Sequence, residues 1–167
     1  PALSVGVYEV LAEHGEKELV DYFATNMASG KWSGTMCLTE PHAGTDLGMI
    51  TTKAVPQEDG TYLVTGTKIF ITYGEHDMTE NIVHLVLAKT PDAPEGTRGI
   101  SLFLVPKYMP SEWKYEGLSG VSEELNTQHN GVTCSGSEEK MGVHASPTCV
   151  MNFEQSRGWR VGDLYNG

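Results

Sequence analysis

Apolar residues in the first 30 positions recur at intervals of three and four, which is the spacing of an amphipathic helix. His14-Gly15 interrupts this recurrence, so the pattern predicts two short helices, with Ser4 as the candidate N-terminal cap of the first. Neither helix buries its apolar face alone, and both are expected to dock against further structure. The periodic positions are Val7, Val10, Leu11, Leu19, Val20, Phe23 and Met27.

From residue 31 onward the pattern changes to short runs rich in Val, Ile, Thr and aromatic residues, separated by turn residues. No strand–helix–strand alternation follows, so an antiparallel barrel or sandwich is predicted rather than a parallel nucleotide-binding sheet. The predicted strands cover residues 36–39, 61–65, 68–72, 82–88, 100–105, 113–115, 132–134 and 148–153.

Turn residues define the connections. Glu58-Asp59-Gly60 predicts a hairpin turn, since Asp and Gly tolerate the positive φ of tight turns. Segment 91–96 predicts a longer surface loop, and the polar segment 117–139, which contains Asn130-Gly131, predicts an excursion from the sheet. We place a domain boundary between residues 1–30 and residues 31–167.

Composition narrows the classes of function. The net charge of −11 disfavours binding to nucleic acid or anionic lipid, because both depend on Lys and Arg contacts. No apolar run approaches the roughly 20 residues of a membrane helix, and no signal peptide opens the chain. We expect no nucleic-acid or membrane partner for this segment. Because the chain begins at Pro1 and stops at Gly167, we expect both ends to be cuts in a longer protein.

Cysteine and histidine spacing predicts no metal site. The three cysteines include no CxxC pair, so neither a disulfide framework nor a zinc knuckle is indicated, and a reducing compartment such as the cytoplasm is expected. The six histidines show no HxxxH or HExxH spacing. The thiols are expected to act as small buried hydrophobic groups rather than as nucleophiles.

The stretch MCLTEPHAGTDLG, residues 36–48, carries the first candidate chemistry, because a strand there gives way to a loop of small and hydroxylated residues. Backbone N–H groups, together with the hydroxyls of Thr39 and Thr45, suit an electron-rich ligand. Spacing alone leaves open the alternative that Thr, Pro and Gly only shape the turn.

The stretch GTKIFIT, residues 66–72, is the second candidate. Alternation along a strand places Phe70 and Thr72 on one face, where a ring and a hydroxyl suit packing against a planar cofactor and hydrogen bonding to its edge. A half-buried Phe beside a Thr is also common in sheets, so this segment decides nothing by itself.

Taken together, four ordered motifs resemble the middle domain of the acyl-CoA dehydrogenase family: LTEPHAGTD, GTKIFIT, GISLFLVPK and KMGVHASPTCVMNFE. The resemblance covers nearly the whole chain. It implies that residues 1–30 are the end of the family's N-terminal helical domain. Residues 31–167 are then its middle domain, an antiparallel β-barrel that binds FAD and an acyl-CoA thioester.

The resemblance also implies roles for single residues. Thr39 is expected to donate its hydroxyl to the flavin pyrimidine end, and Thr72 to reach the N5 edge. Phe70 stands where the family usually has Trp against the isoalloxazine, and Thr45 replaces the usual Ser that contacts acyl-CoA. The expected flavin contacts are Met36, Leu38, Thr39, Gly44, Thr45, Phe70, Ile71 and Thr72.

The implied activity is α,β-dehydrogenation of an acyl-CoA, with hydride passing to flavin N5 and electrons to an electron-transferring flavoprotein. A homo-oligomer, dimer or tetramer, is expected. The family's base is a carboxylate of the C-terminal helical domain, so no catalytic residue is predicted here and the isolated chain is expected to be inactive. Glu40 is expected to pair with local backbone or an arginine, because a carboxylate would oppose the negative charge of a reduced flavin.

Two departures from the family pattern keep other functions open. Met36 stands where some relatives carry Tyr, and segment 117–139 is longer than in short-chain members. In both features the chain resembles the branch of the family that includes dehydrogenases of aryl or thioether substrates and alkylation-damage-response flavoproteins. These departures leave the acyl chain specificity open, and one alternative is a fragment of an alkylation-damage-response flavoprotein that associates with DNA. A separate alternative is a β-barrel interaction module without cofactor.

Overall fold

The computed structural model describes residues 2–109 and 129–167. Helix α1 spans Ala2–His14. A second helical stretch follows, made of α2 at Lys17–Leu19, a π-helical segment at Val20–Ala24 and α3 at Thr25–Ala28, with αR backbone at both junctions. The predicted division into two helices at His14-Gly15 is confirmed, while the π-helical segment was not foreseen.

The helices pack onto the sheet and share a core with it. Phe23 lies between Trp32 and Trp159, with ring centroids 5.6 and 5.7 Å apart. Gly34 permits this close approach, because a Cβ there would lie 2.6 Å from Met27 Cε. The cap predicted at Ser4 is wrong: Ser4 lies inside α1, and its Oγ accepts a hydrogen bond from Gly34 N–H at 2.9 Å.

Within the described residues, seven strands form one sheet that curls into a barrel. Their bounds are β1 Trp32–Cys37, β2 Lys53–Pro56, β3 Tyr62–Thr72, β4 Asn81–Lys89, β5 Ile100–Pro106, β6 Val132–Ser137 and β7 Thr148–Val161. The order is β1-β4-β2-β3-β7-β5, with β6 on β7, and the β4–β5 pairing closes the ring. Short 3₁₀ turns lie at Leu47–Met49 and Thr97–Gly99.

Most strand pairs are antiparallel, as predicted, and the mainly-β fold class is confirmed. Two pairings depart from the expectation, because β1 and β2 both run parallel to β4 along one of its edges. The segment between Cys37 and Lys53 therefore leaves the sheet and returns to the same edge. This excursion carries the first candidate motif.

Strand boundaries differ from the sequence prediction in several places, and β1 starts at Trp32 rather than at residue 36. β2 was missed because its sequence, KAVP, is short and half polar. Residues 61–65 and 68–72 form the single strand β3, which runs through Gly66. β7 continues past Phe153, where the predicted strand ended, to Val161. The prediction ended early because the bulged residue Gln155, with φ 51°, interrupts the alternation of buried and exposed residues.

The predicted connections that lie in the described residues are found at the expected positions. Gly60 has φ 81°, and Asp59 Oδ1 accepts from Thr61 N–H at 3.0 Å, so residues 58–60 turn between β2 and β3 as predicted. Residues 91–96 lie between β4 and β5. The strand predicted at 113–115 and most of the excursion predicted at 117–139 lie outside the described residues, while residues 132–137 belong to β6. Within the described part of the chain, no helix is long and apolar enough to cross a membrane.

Candidate functional site

The loop after β1 begins with a tight turn at Glu40–Ala43. Glu40 N–H donates to Ala43 O at 2.9 Å, and Ala43 N–H donates to Glu40 O at 3.0 Å. Ala43 is buried, whereas Gly44 and Thr45 beyond it are exposed. The turn therefore presents the small residues of the motif outward.

A β-bulge interrupts β3 within the second motif. Lys68 pairs with Met151 and Ile71 with Cys149, so β3 holds one more residue than β7 over this stretch. Lys68 and Ile71 are consequently both buried, 0% and 2% exposed. Regular alternation does not run through residues 66–72, and Phe70 and Thr72 flank the buried Ile71.

Phe70 combines exposure with an uncommon backbone. It is 58% exposed and has φ 60°, a region that bulky residues rarely adopt. Strained backbone of this kind concentrates at functional sites. The exposed aromatic side chain on this strained bulge therefore indicates that the surface around Phe70 contacts a ligand.

Hydrogen bonds join the two motifs side by side. Ile69 N–H donates to Thr39 O at 2.9 Å. Lys68 Nζ donates to Leu38 O at 2.9 Å and to Glu40 Oε1 at 2.9 Å. Thr39 therefore lies next to the bulge that carries Phe70.

Glu40 is the centre of a buried polar network. It is 2% exposed, and besides Lys68 it accepts from the backbone N–H of Thr51 at 2.7 Å and of Thr52 at 3.0 Å. Both threonine hydroxyls donate to it as well. The interpretation of Glu40 as a partner of local backbone is confirmed, and its cation is Lys68 rather than an arginine. Gly66 is required here, because a Cβ would lie 2.4 Å from Thr52 Oγ1.

Burial raises the pKa of Glu40, but the hydrogen bonds from Thr51, Thr52 and Lys68 outweigh burial and lower this pKa from 4.5 to about 2. The carboxylate is thus ionised at neutral pH and already holds its donors. A carboxylate with so low a pKa is a weak base, which excludes Glu40 as the group that removes a weakly acidic proton.

The lowered pKa predicts an acid-dependent loss of stability. The contribution of Glu40 is fully present above its ordinary pKa of 4.5 and is lost as the pH falls towards about 2, because protonation breaks the network. The lost stability amounts to roughly 3 kcal/mol. We expect the unfolding midpoints of the full-length protein and its Glu40→Gln variant, measured in urea, to differ at pH 7 and to converge towards pH 3. A constant difference across this range would contradict the assignment.

Comparison with known proteins decides the family. The family model described as "Acyl-CoA dehydrogenase, middle domain" matches residues 35–156. The chain belongs to the acyl-CoA dehydrogenase family. The motifs that define the site, residues 36–48 and 66–72, both lie inside the matched range.

Individual relatives from this family match nearly the whole chain. The 3-methylmercaptopropionyl-CoA dehydrogenase of Ruegeria pomeroyi is 48% identical over 167 residues, covering 100% of this chain and 27% of its own length. FadE5 of Mycobacterium tuberculosis, a broad-specificity linear acyl-CoA dehydrogenase, is 41% identical over 167 residues, covering 97% of this chain and 26% of its own length. The chain thus spans about a quarter of the length of the curated relatives it matches.

Solved structures show the same fold. ACDH-11 of Caenorhabditis elegans, in complex with C11-CoA, superposes with a TM-score of 0.76 at 25% identity and covers 99% of this chain and 27% of its own. Butyryl-CoA dehydrogenase of Megasphaera elsdenii superposes with a TM-score of 0.72 at 28% identity and covers 96% of this chain and 36% of its own.

The hydroxyls expected to contact the flavin or acyl-CoA are available in this acyl-CoA dehydrogenase segment. Thr39 and Thr72 are half-buried and Thr45 is exposed. None of the three hydroxyls hydrogen-bonds to another group within residues 2–109 and 129–167, in contrast to Thr51 and Thr52. These side chains are free to bond to a ligand.

The remaining predicted contacts differ in what they can offer. Met36 and Leu38 are half-buried and pack on the core with Ala43, whereas Gly44 is exposed. The Ile71 side chain is buried in the core, so only its backbone can reach a ligand. Lys68 was missed as a site residue, although a single cation inside the apolar run of a strand was a signal for it.

The buried nucleophiles and imidazoles show no sign of activation. Burial raises the pKa of the Cys37 thiol to about 12 and that of Cys149 to about 11. Both are buried, as predicted for the thiols, while Cys134 is half-buried. Burial lowers the pKa of His84 to about 3, and its Nδ1 lies 2.7 Å from Thr35 Oγ1. Within the described ranges, no group of three or more His, Cys, Asp or Glu side chains is placed to hold a metal ion.

Two cavities of about 320 and 340 Å³ lie away from the predicted contacts. The first is lined by residues that include Leu19, Tyr62 and Trp159, and the second by residues that include His14, Leu102 and Val161. None of the predicted flavin contacts lines either cavity.

Proposed function

We propose that this chain is the flavin- and acyl-CoA-contacting middle part of an FAD-dependent acyl-CoA dehydrogenase. The observation that carries the proposal is the junction of Thr39 with the β3 bulge through the 2.9 Å hydrogen bond from Ile69 N–H. The segment bonded to Thr39 carries the exposed Phe70, and the hydroxyls of Thr39 and Thr72 have no partner within residues 2–109 and 129–167. Residues 1–30 are then the end of an N-terminal helical domain, and residues 31–167 the barrel domain.

The residues fit a flavin by their chemistry. Phe70 offers a ring for stacking on a planar heterocycle, while Thr39 and Thr72 offer neutral donors to its polar edges. Neutral donors suit a ring that becomes negatively charged on reduction, because they stabilise that charge without opposing it beforehand. Thr45, exposed at the end of the same loop, is assigned to the acyl-CoA.

A flavin bound there would supply the acceptor for the hydride from the substrate's β carbon. Thr39 and Thr72 orient it and stabilise negative charge, and the buried Lys68–Glu40 pair holds the loop that carries Thr39. Removal of the α proton requires a base, and Glu40 is excluded by its low pKa. We assign the base to a part of the enzyme outside residues 1–167.

Acyl-CoA and an electron-transferring flavoprotein are the proposed partners of the full-length enzyme, which we propose to be a dimer or tetramer. The relative from Ruegeria pomeroyi is named for 3-methylmercaptopropionyl-CoA, and a relative from Syntrophomonas wolfei, 43% identical over 165 residues, for butyryl-CoA. These two thioesters are the first substrates to test. No observation favours the DNA-associated alternative, since the chain carries a net charge of −11.

The test is the flavin spectrum of the full-length protein. We expect it to purify yellow, or to become yellow with added FAD, and its flavin absorbance to bleach when one of the two acyl-CoA thioesters is added anaerobically. Residues 1–167 alone, checked for folding by circular dichroism, are expected not to reduce a dye acceptor. A full-length protein that is colourless after incubation with excess FAD and removal of the unbound FAD would refute the proposal.

A further inference from the structure

Lys68 connects the barrel interior to the backbone of the loop that carries Thr39. Its side chain is fully buried, and its ammonium group donates both to Leu38 O and to Glu40 Oε1, each at 2.9 Å. A hydrogen bond from an ionised donor is stronger than a neutral one, so the Lys68 ammonium group holds the Leu38 carbonyl against it. The Leu38 carbonyl therefore points into the barrel.

The direction of this carbonyl fixes the direction of the next N–H group. The described part of the chain has no cis peptide bond, and in a trans peptide the C=O and the following N–H point in opposite directions. Because the Leu38 carbonyl points inward, the Thr39 N–H points outward. No acceptor for this N–H lies within residues 2–109 and 129–167.

Thr39 is further fixed by its own carbonyl, which accepts from Ile69 N–H at 2.9 Å. The two peptide groups around Thr39 are thus both tied to β3, one to a backbone amide and one to a lysine side chain. This leaves the Thr39 N–H as a preorganised donor beside Phe70 and the free Thr39 hydroxyl. Preorganised donors cost no reorganisation when a ligand binds.

We propose that Lys68 is a positioning residue that aims the Thr39 N–H at the flavin, while Glu40 serves to neutralise its charge. This inference rests on the proposed function, because it assigns the donor that the site offers to FAD. Lys68 does not touch the ligand and acts through the Leu38–Thr39 peptide group. Glu40 keeps the ammonium paired, and its bonds to Thr51 and Thr52 anchor the far end of the loop.

The test compares two double variants of the full-length protein that share Glu40→Gln. Glu40→Gln/Lys68→Met removes the bond to Leu38 O without leaving a charge unpaired at the site. Glu40→Gln/Lys89→Met is the matched control, because Lys89 Nζ also donates to a carbonyl of the same loop, Gly48 O, at 2.6 Å. The readouts are the Kd for FAD from flavin fluorescence and the visible spectrum of the bound flavin.

We expect the Lys68 double variant to bind FAD about tenfold more weakly than the Lys89 control, the effect of one lost hydrogen bond. A shifted flavin absorption band is expected in the Lys68 variant alone. Equal Kd values and spectra in the two variants would overturn the inference. If instead the unmodified protein bound no FAD, the proposed function itself would fail.

A second measurement needs no variant and serves if the Lys68 double variant does not fold. Hydrogen–deuterium exchange of the full-length protein reports the Thr39 amide directly. We expect this amide to exchange fast without FAD, because the described residues offer it no acceptor, and at least about tenfold more slowly with FAD bound. Slow exchange in the flavin-free protein would mean that the amide points inward, and it would overturn the inference.

Discussion

Lys68→Met is expected to lower the free energy of unfolding of the full-length protein by about 3–5 kcal/mol. The substitution leaves the Glu40 carboxylate buried at 2% exposure without its cation, next to a Leu38 carbonyl that has lost its donor. Methionine is unbranched like lysine and only one heavy atom shorter, so the loss comes mainly from charge and hydrogen bonding rather than from a cavity. Urea unfolding at pH 7, followed by tryptophan fluorescence, measures the change.

The control for this prediction is Lys17→Met. Lys17 also pairs with a carboxylate, that of Asp21, but the two side chains are 81% and 62% exposed. Exposed pairs contribute little to stability, because water screens them and ordering two long side chains costs entropy. If Lys68→Met changed stability as little as Lys17→Met does, the ion pair would not hold the loop and the account of the site would need another anchor.

Thr72→Val is expected to slow flavin reduction by acyl-CoA in the full-length enzyme by roughly 100-fold, the effect of removing one preorganised donor from a developing negative charge. Acyl-CoA affinity is expected to change little, because the lost hydrogen bond lies at the flavin. The Thr72 hydroxyl has no internal partner within the described ranges, so the fold should tolerate valine. Stopped-flow absorbance measures reduction, and equilibrium titration measures binding.

Thr133→Val provides the matched control for Thr72→Val. Thr133 is an exposed threonine in β6, opposite Asn152, and has no predicted role. Its replacement is expected to leave both the rate and the affinity unchanged. If Thr72→Val reduced the rate and the affinity equally, the hydroxyl would act in general binding and its assignment to the flavin edge would be wrong.

Local sequence was informative where one segment carries the whole signal. The two helices, the turn at Asp59-Gly60 and the strand around Ile82 followed from periodicity and turn chemistry. The motifs around Thr39 and Phe70 were found as linear runs for the same reason. The sequence does not predict β2, because four residues of mixed polarity show no periodicity. The predicted start of β1 lies four residues after the observed start, because the first half of the strand, WSG, packs under the helices.

Contacts between segments that are distant in the chain were not predicted from the sequence. Nothing in a linear motif shows that Lys68 meets Glu40, 28 residues earlier, or that β1 runs parallel to β4 across 49 residues. The bulge at Ile69 and Phe70 is a shift in the register between β3 and β7. Such a shift depends on both strands, so the sequence of β3 alone does not predict it. Glu40 was therefore assigned a generic backbone or arginine partner.

The sequence by itself determined the mainly-β class, the family resemblance and the segments that bear neutral donors, since each depends on residues close together in the chain. The tertiary structure decided which way those segments face. Barrel closure buries Lys68 beside Leu38 and Glu40, and this contact turns the Thr39 amide outward. Buried polar groups must find partners wherever the fold brings them, so their pairing is fixed only when distant strands pack together.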